Sequence, residues 1–210
     1  AEGLDAGERT GKYPVILADQ SDNTGGGAPG DSTEVLRLFV ERGLEDAAVL
    51  YMVDPTAAAA AHRAGAGATV NLEVGGHSDA ALGPPVSMQA EVVAISDGRF
   101  VYDGPMWRGV GDDLGPTAWI REGGVSVVLI SQRQQPIDLS LCRSLGMVCE
   151  RMRYLSIKST GHFRSGFESI AGSIWNVDAV GLLSQDFRRL PYTRLGRPVY
   201  PRDLDVPRGW

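Results

Sequence analysis

Pro14-Val15-Ile16-Leu17-Ala18-Asp19 is a short apolar run that ends on a carboxylate, and Ala48-Val49-Leu50-Tyr51-Met52-Val53-Asp54-Pro55 repeats that pattern further along. Unbroken apolar runs of this length, rather than alternating ones, suit strands covered on both faces. Between them lies a loop, residues 20–30, holding Asp22, Asn23, Gly25, Gly26, Gly27, Pro29 and Gly30. Val35, Leu36, Phe39 and Val40 then fall at helical spacing, and Gly43 ends the helix. Asp31 or Ser32 is expected to cap it, with Glu34 closing a capping box on Asp31. Asp54 before Pro55 is expected to cap a second helix, reaching Arg63. The opening therefore reads β-α-β-α, the order that favours a parallel strand pair.

Outward from this segment the pattern changes. Residues 70–74, 86–95, 99–102, 117–121 and 125–131 read as strands, with Asp97-Gly98 and Gly123-Gly124 at two-residue hairpin positions. A short helix is expected over 138–145, a strand over 155–157, a helix over 162–171 and an extended segment over 174–180. Prolines 191, 198, 201 and 207 mark an irregular tail. At the other end, residues 1–6 read as the last turns of a helix that Gly7, Gly11 and Pro14 stop. The fold class is α/β (mixed α+β), one domain with a β-α-β-α start, antiparallel hairpins in the middle and an irregular C-terminal tail. The expected division is 1–12 as the remnant of a preceding helix or linker, 13–203 as the domain, and 204–210 as tail.

The chain has 210 residues, of which 43% are hydrophobic and 22% charged. A chain of this size buries roughly 70% of its unfolded surface and needs no staple to fold. Twenty lysines and arginines against 26 aspartates and glutamates give a net charge of −6. That argues against a general binder of nucleic acid or anionic membrane, which needs a basic face. No apolar run is long enough to cross a bilayer. Cys142 and Cys149 are too few for a disulfide framework and read as two free thiols, so a reducing, cytoplasmic setting is expected.

Three constellations carry chemistry. Gly25, Gly27 and Gly30 formally satisfy a dinucleotide fingerprint between strand and helix. Against that reading, residues 19–24 separate the glycines from the strand, Pro29 removes an amide, and Asp19, Asp22 and Asp31 repel a pyrophosphate. The alternatives are a tight structural loop, or a loop whose amides line a cleft together with Asp22 and Asn23. The second constellation is Lys158-Ser159-Thr160-Gly161-His162-Phe163-Arg164, at a strand end, where amides, a lysine, a histidine and an arginine suit an anionic group. The third, Gln132-Arg133-Gln134-Gln135-Pro136-Ile137-Asp138, follows another strand, and polar residues there often face a cleft. His62, His77 and His162 are isolated, so a metal site within the chain is poorly supported.

The run from Asp19 to Thr33, with Asp22-Asn23 and Gly25-Gly26-Gly27, resembles the opening motif of the C-terminal domain of MlrC-like proteins, the microcystinase C family of metallopeptidases. Further matches keep the family's order. They are Gly75-Gly76, Leu82-Gly83-Pro84-Pro85-Val86, Leu114-Gly115-Pro116-Thr117-Ala118, Arg133 to Asp138, Lys158-Ser159 with His162-Phe163-Arg164, Val177-Asp178-Ala179 and Leu190-Pro191-Tyr192. The likeness runs from about Tyr13 to Asp203. It implies a longer protein whose separate N-terminal domain holds the zinc ligands, so that no metal is expected on this chain. It also implies hydrolysis of amide bonds in a peptide-like or small-molecule substrate by metal-activated water. The resemblance implies that this domain supplies a wall of the cleft and an inter-subunit surface in a homo-oligomer, and is inactive alone. The residues it puts forward are Asp22, Asn23, Gly25, Gly26 and Gly27 on one wall, Lys158, His162 and Arg164 as the opposing, anion-holding wall, and Arg133 as a further substrate-binding residue. His162 would protonate a leaving amine. Two positions depart from the family's pattern, Thr24 where proline is expected and His77 where lysine is expected. Two other readings stay open, a nucleotide- or small-ligand-binding module built on the glycine-rich loop and a structural or dimerisation domain.

Overall fold

The computed structural model describes residues 2–183 and 185–205. Ala1 and the 206–210 end of the expected tail lie outside the described residues. The strands are β1 (Val15–Asp19), β2 (Ala47–Val53), β3 (Thr69–Val74), β4 (Val86–Ser96), β5 (Arg99–Val101), β6 (Gly111–Asp113), β7 (Thr117–Glu122), β8 (Val125–Ile130), β9 (Tyr154–Ile157) and β10 (Ser173–Val177). The helices are α1 (Glu2–Thr10), α2 (Glu34–Glu41), α3 (Pro55–Ala64), α4 (Ser140–Ser144) and α5 (Arg164–Phe167). Eight strands form one sheet in the order β10-β1-β9-β2-β8-β7-β4-β3, and β5 and β6 form a separate ribbon. The five from β10 to β8 are parallel; from β8 through β7 and β4 to β3 the pairing is antiparallel.

The sequence pattern explains this division. β1, β2, β8 and β9 are buried along almost their whole length because layers cover both faces. In β4, Val86, Met88, Ala90 and Val92 point inward and Ser87, Gln89 and Glu91 outward, the alternation of a half-covered strand. One face of the sheet packs against Leu4 of α1, Val35, Leu36 and Phe39 of α2, and Ala57, Ala58 and Ala61 of α3. The other packs against Leu139, Leu141, Leu145, Met147, Phe163 and Phe167. β2 carries a bulge, with Leu50 and Tyr51 both on the second face and Tyr51 at φ 60°.

Four local expectations are corrected. α1 continues through Gly7, where a Cβ would come within 2.5 Å of Val15, so this glycine allows close packing rather than a stop. Asp97-Gly98 is no hairpin, because β4 pairs with β7 while β5 pairs with β6; Gly123-Gly124 does join β7 to β8. Thr33 is the N-cap of α2 without a side-chain capping bond, its hydroxyl donating instead to the Pro84 carbonyl, while Asp31 accepts from the amides of His77 and Ser78 and Glu34 from that of Val180. The helix expected over 162–171 is one turn, α5, followed by a 3-10 turn at Glu168–Ile170. Asp54 caps α3 as expected, accepting from the Ala57 amide at 2.8 Å, and its second oxygen holds the Gly75 amide at 2.9 Å.

Candidate functional site

The parallel half of the sheet decides where a site can form. β1 and β2 lead into α2 and α3 on one face, whereas β8 and β9 lead toward α4 and α5 on the other. Since β9 lies between β1 and β2, neighbouring connections diverge at its carboxyl end. Such divergence opens a crevice beyond the strand ends, the usual binding place in parallel sheets. The three loops singled out by their chemistry, 20–33, 131–138 and 158–163, leave β1, β8 and β9 at this edge.

Beneath the surface the loops are tied by charge. The Lys158 ammonium is 2% exposed and donates to Asp22 Oδ2 at 2.8 Å, to the Ser32 carbonyl at 2.9 Å and to Ser32 Oγ at 2.7 Å. Asp22, fully buried, also accepts from the amides of Gly30 and Ser32, both at 2.8 Å. Asp19 stands 3.7 Å from the ammonium and accepts from the Ser21 amide and the Ser32 hydroxyl. Burial raises the Asp19 pKa, and the Lys158 charge opposes that rise. Asp22 and Lys158 therefore meet as one internal ion pair, not as facing walls. All three ammonium protons are used, which a charge removed from water requires.

The glycine-rich loop is a 3-10 turn, Thr24–Gly26, capped by Asn23. The Gly25 amide donates to Asn23 Oδ1, the Gly26 amide to the Asn23 carbonyl and the Gly27 amide to the Thr24 carbonyl. Those three amides are spent inside the turn, so the loop does not offer the amide cradle that a phosphate needs. Gly25, Gly26 and Gly27 still form exposed surface. Arg133 crosses to this loop and donates to the carbonyls of Gly27 and Ala28 at 3.2 and 3.4 Å. Asn23 donates to the Thr160 hydroxyl at 2.9 Å, tying the loop to the turn after β9.

His162 is exposed, and its Nδ1 lies 2.9 Å from Nε2 and 3.2 Å from Oε1 of Gln135. Arg164 points along α5, paired with Glu168 at 3.0 Å, with its guanidinium 5.6 Å from the Phe163 ring centre. The structure thus gathers Asn23, the glycine turn, Arg133, Thr160 and His162 on one surface. It places Asp22 and Lys158 beneath that surface and turns Arg164 toward Glu168. Gln135 and Ser32 join the assembly without having been singled out as site residues, because only tertiary contact reveals what a buried amide or hydroxyl joins.

Among the described residues no three histidine, cysteine, aspartate or glutamate side chains converge to hold a metal ion. His62 bonds the Thr117 carbonyl, and His77 bonds the Glu73 carbonyl and lies 3.4 Å from Asp54. These donors do not fit a zinc centre. No described helix is long and apolar enough to cross a membrane.

Comparison with known proteins agrees with this architecture. The chain is 30% identical over 189 residues to microcystinase C of Sphingomonas sp., covering 90% of this chain and 36% of that protein. It superposes on a crystal structure from Mesorhizobium sp. BNC1 described as a "Putative metallopeptidase" with a TM-score of 0.80 and 29% identity, covering 97% of this chain and 40% of that one. It therefore spans well under half the length of either relative. The family profile "MlrC C-terminus" matches residues 17–194, and the chain belongs to that family.

Proposed function

We propose that this domain forms the substrate-holding side of an amide- or peptide-hydrolysing metalloenzyme whose zinc centre, the source of activated water, lies in chain beyond the matched region. The observation that supports this reading is the assembly of loops 20–33, 131–138 and 158–163 at the carboxyl edge of the parallel strands. Its surface carries the Arg133 guanidinium, which bonds only backbone carbonyls among the described residues, and the exposed imidazole of His162. Such groups suit a carbonyl or carboxylate oxygen of a substrate. Asn23 and the glycine turn shape the rim, and Asp22 and Lys158 set its form from below. The two cysteines, buried and unpaired, accord with a reducing, cytoplasmic setting.

Metal content and amidase activity, measured on the 210-residue chain and on a longer protein containing the N-terminal region, test the division of labour. The expected outcome is metal and activity in the longer protein only. Stoichiometric metal with activity in the short chain overturns the reading. In the longer enzyme, Arg133→Ala and His162→Gln are each expected to raise KM roughly tenfold, the scale of a lost hydrogen bond to a charged group. Unchanged kinetics in both variants removes these residues from the site.

A further inference from the structure

We infer that the tail, residues 178–205, is a docking surface whose occupant is the part of the longer protein ahead of this domain, through a face of apolar side chains and carboxylates. This rests on the reading above that such a part exists, and adds where it sits. Beyond Val177 no described residue joins either side of the core. Yet the tail carries eight of the fourteen large apolar side chains that the described residues leave exposed, with Leu182 at 49%, Tyr200 at 50% and Leu204 at 65%. Phe187, Tyr192, Leu195, Val199 and Tyr200 line one open cavity of about 310 Å³, so they form a patch rather than scattered single residues. A patch of this kind marks a surface that something covers. The tail is also held in place. The Leu183 amide donates to the Ser21 carbonyl at 2.9 Å, the Ser21 hydroxyl to Asp178 at 3.1 Å, and Asp186 caps the 3-10 turn Phe187–Arg189.

Position and extent choose the occupant. Gly3 of α1 lies against Leu17 and Trp175, whereas Gly7 lies against Val15 and Tyr13. Leu17 pairs with Trp175, and Val15 with Ser173. The helix therefore runs opposite to β1, and its amino end points to the carboxyl edge beside β10. The tail leaves β10 at that same edge. Chain ahead of α1 thus enters next to the tail, and covalent linkage gives it a higher local concentration than a free partner has. The superposition on the Mesorhizobium protein takes in 97% of this chain and 40% of that one, so most of the tail lies within a span shared with a protein more than twice as long. Charge sets the chemistry of the covering face. Residues 187–202 hold five arginines and no aspartate or glutamate, in a chain of net charge −6. Arg188 pairs with Asp186, and the Arg202 guanidinium lies 6.0 Å from the Tyr192 ring centre. Arg194 and Arg197 are exposed and form no ion pair among the described residues, so the covering face brings carboxylates to them.

The arginines are also the reporter. Trypsin cuts after Arg194 and Arg202, where no proline follows. Limited digestion of the 210-residue chain and of the longer protein, at matched concentrations and read by mass spectrometry, gives the rate at each position. Both cuts should be at least roughly tenfold slower in the longer protein, because an exposed irregular segment is cut readily and a covered one only after it opens. The protection should not change on dilution. Equal rates in the two proteins overturn the inference. Protection that fades on dilution assigns the face to a second copy and overturns the occupant. In the longer protein, Tyr192→Ser and Arg197→Glu, both outside the core, should each restore faster cutting at Arg202 while urea unfolding of the rest is unchanged. Unchanged cutting in both variants overturns the apolar and carboxylate chemistry assigned to the covering face. Metal and activity in the 210-residue chain would sink the reading beneath this inference. Equal tryptic rates, with metal and activity confined to the longer protein, would sink the inference alone.

Discussion

Lys158→Met is the perturbation that most directly tests what holds the site together. Methionine keeps the length and apolar stem of lysine and deletes only the ammonium. In the native structure that ammonium makes three hydrogen bonds of 2.7–2.9 Å to Asp22 and Ser32, with Asp19 at 3.7 Å. All three side-chain positions are nearly inaccessible to water: Lys158 2%, Asp22 0% and Asp19 1% exposed. Removing one partner of a buried pair costs about 3–5 kcal/mol, because the remaining charge is stranded. Here two carboxylates are stranded, so the upper part of that range applies. For a chain of this size the loss lowers Tm by about 10–15 °C. Urea unfolding of parent and variant at several pH values measures it. Asp19 adds a pH signature, since burial already raises its pKa and the Lys158 charge restrains that rise. A carboxyl whose folded pKa exceeds its unfolded value holds more protons when folded, so stability falls as pH rises between the two values. Without the ammonium the folded pKa climbs further and the window widens upward. The deficit of the variant should therefore be largest near neutral pH and should shrink as the solution is acidified toward the unfolded value of 3.8. A loss below about 1 kcal/mol, or a deficit indifferent to pH, would refute the buried-pair reasoning.

Other outcomes follow from the same structure. Tyr51→Phe should stabilise the protein by about 1 kcal/mol, because the buried Tyr51 hydroxyl has no hydrogen-bond partner among the described residues; a loss of stability in urea unfolding would show that the hydroxyl is satisfied in solution. Gly30→Ala should cost at least about 2 kcal/mol, since Gly30 sits at φ 88° and a Cβ would lie 2.4 Å from Thr24 and 2.7 Å from Val53; thermal unfolding at or above the parent's Tm contradicts this. Asp54→Ala should cost more than the ~1 kcal/mol of an ordinary N-cap, because Asp54 holds Gly75 as well as Ala57, and amide exchange should accelerate at both positions.

Much of the fold was legible along the chain. The apolar runs of β1, β2 and β8, the Asp54-Pro55 cap and the Gly123-Gly124 hairpin are local signals, carried by residues next to each other. The ribbon partner β6, Gly111–Asp113, was not legible, because a glycine followed by two aspartates has no strand pattern and pairs only where β5 supplies the opposite edge. Asp97-Gly98 misled for the converse reason: a hairpin dipeptide makes a hairpin only if the flanking strands pair with each other.

For the candidate site, sequence by itself determined which polar and glycine-rich loops follow the buried strands. Polar and glycine residues placed directly after buried strands must emerge at one edge of a parallel sheet, whatever their partners. Only the tertiary structure decided which groups face outward. Lys158 looks like a surface anion holder in sequence, yet it lies 2.8 Å from Asp22, 136 positions earlier in the chain. Gln135 reads as one polar residue among several, yet it touches Gly25, Ser159 and His162 at once. The physical reason is that a buried charge or amide is defined by partners that must satisfy it, and those partners come from distant segments that meet only when the sheet assembles.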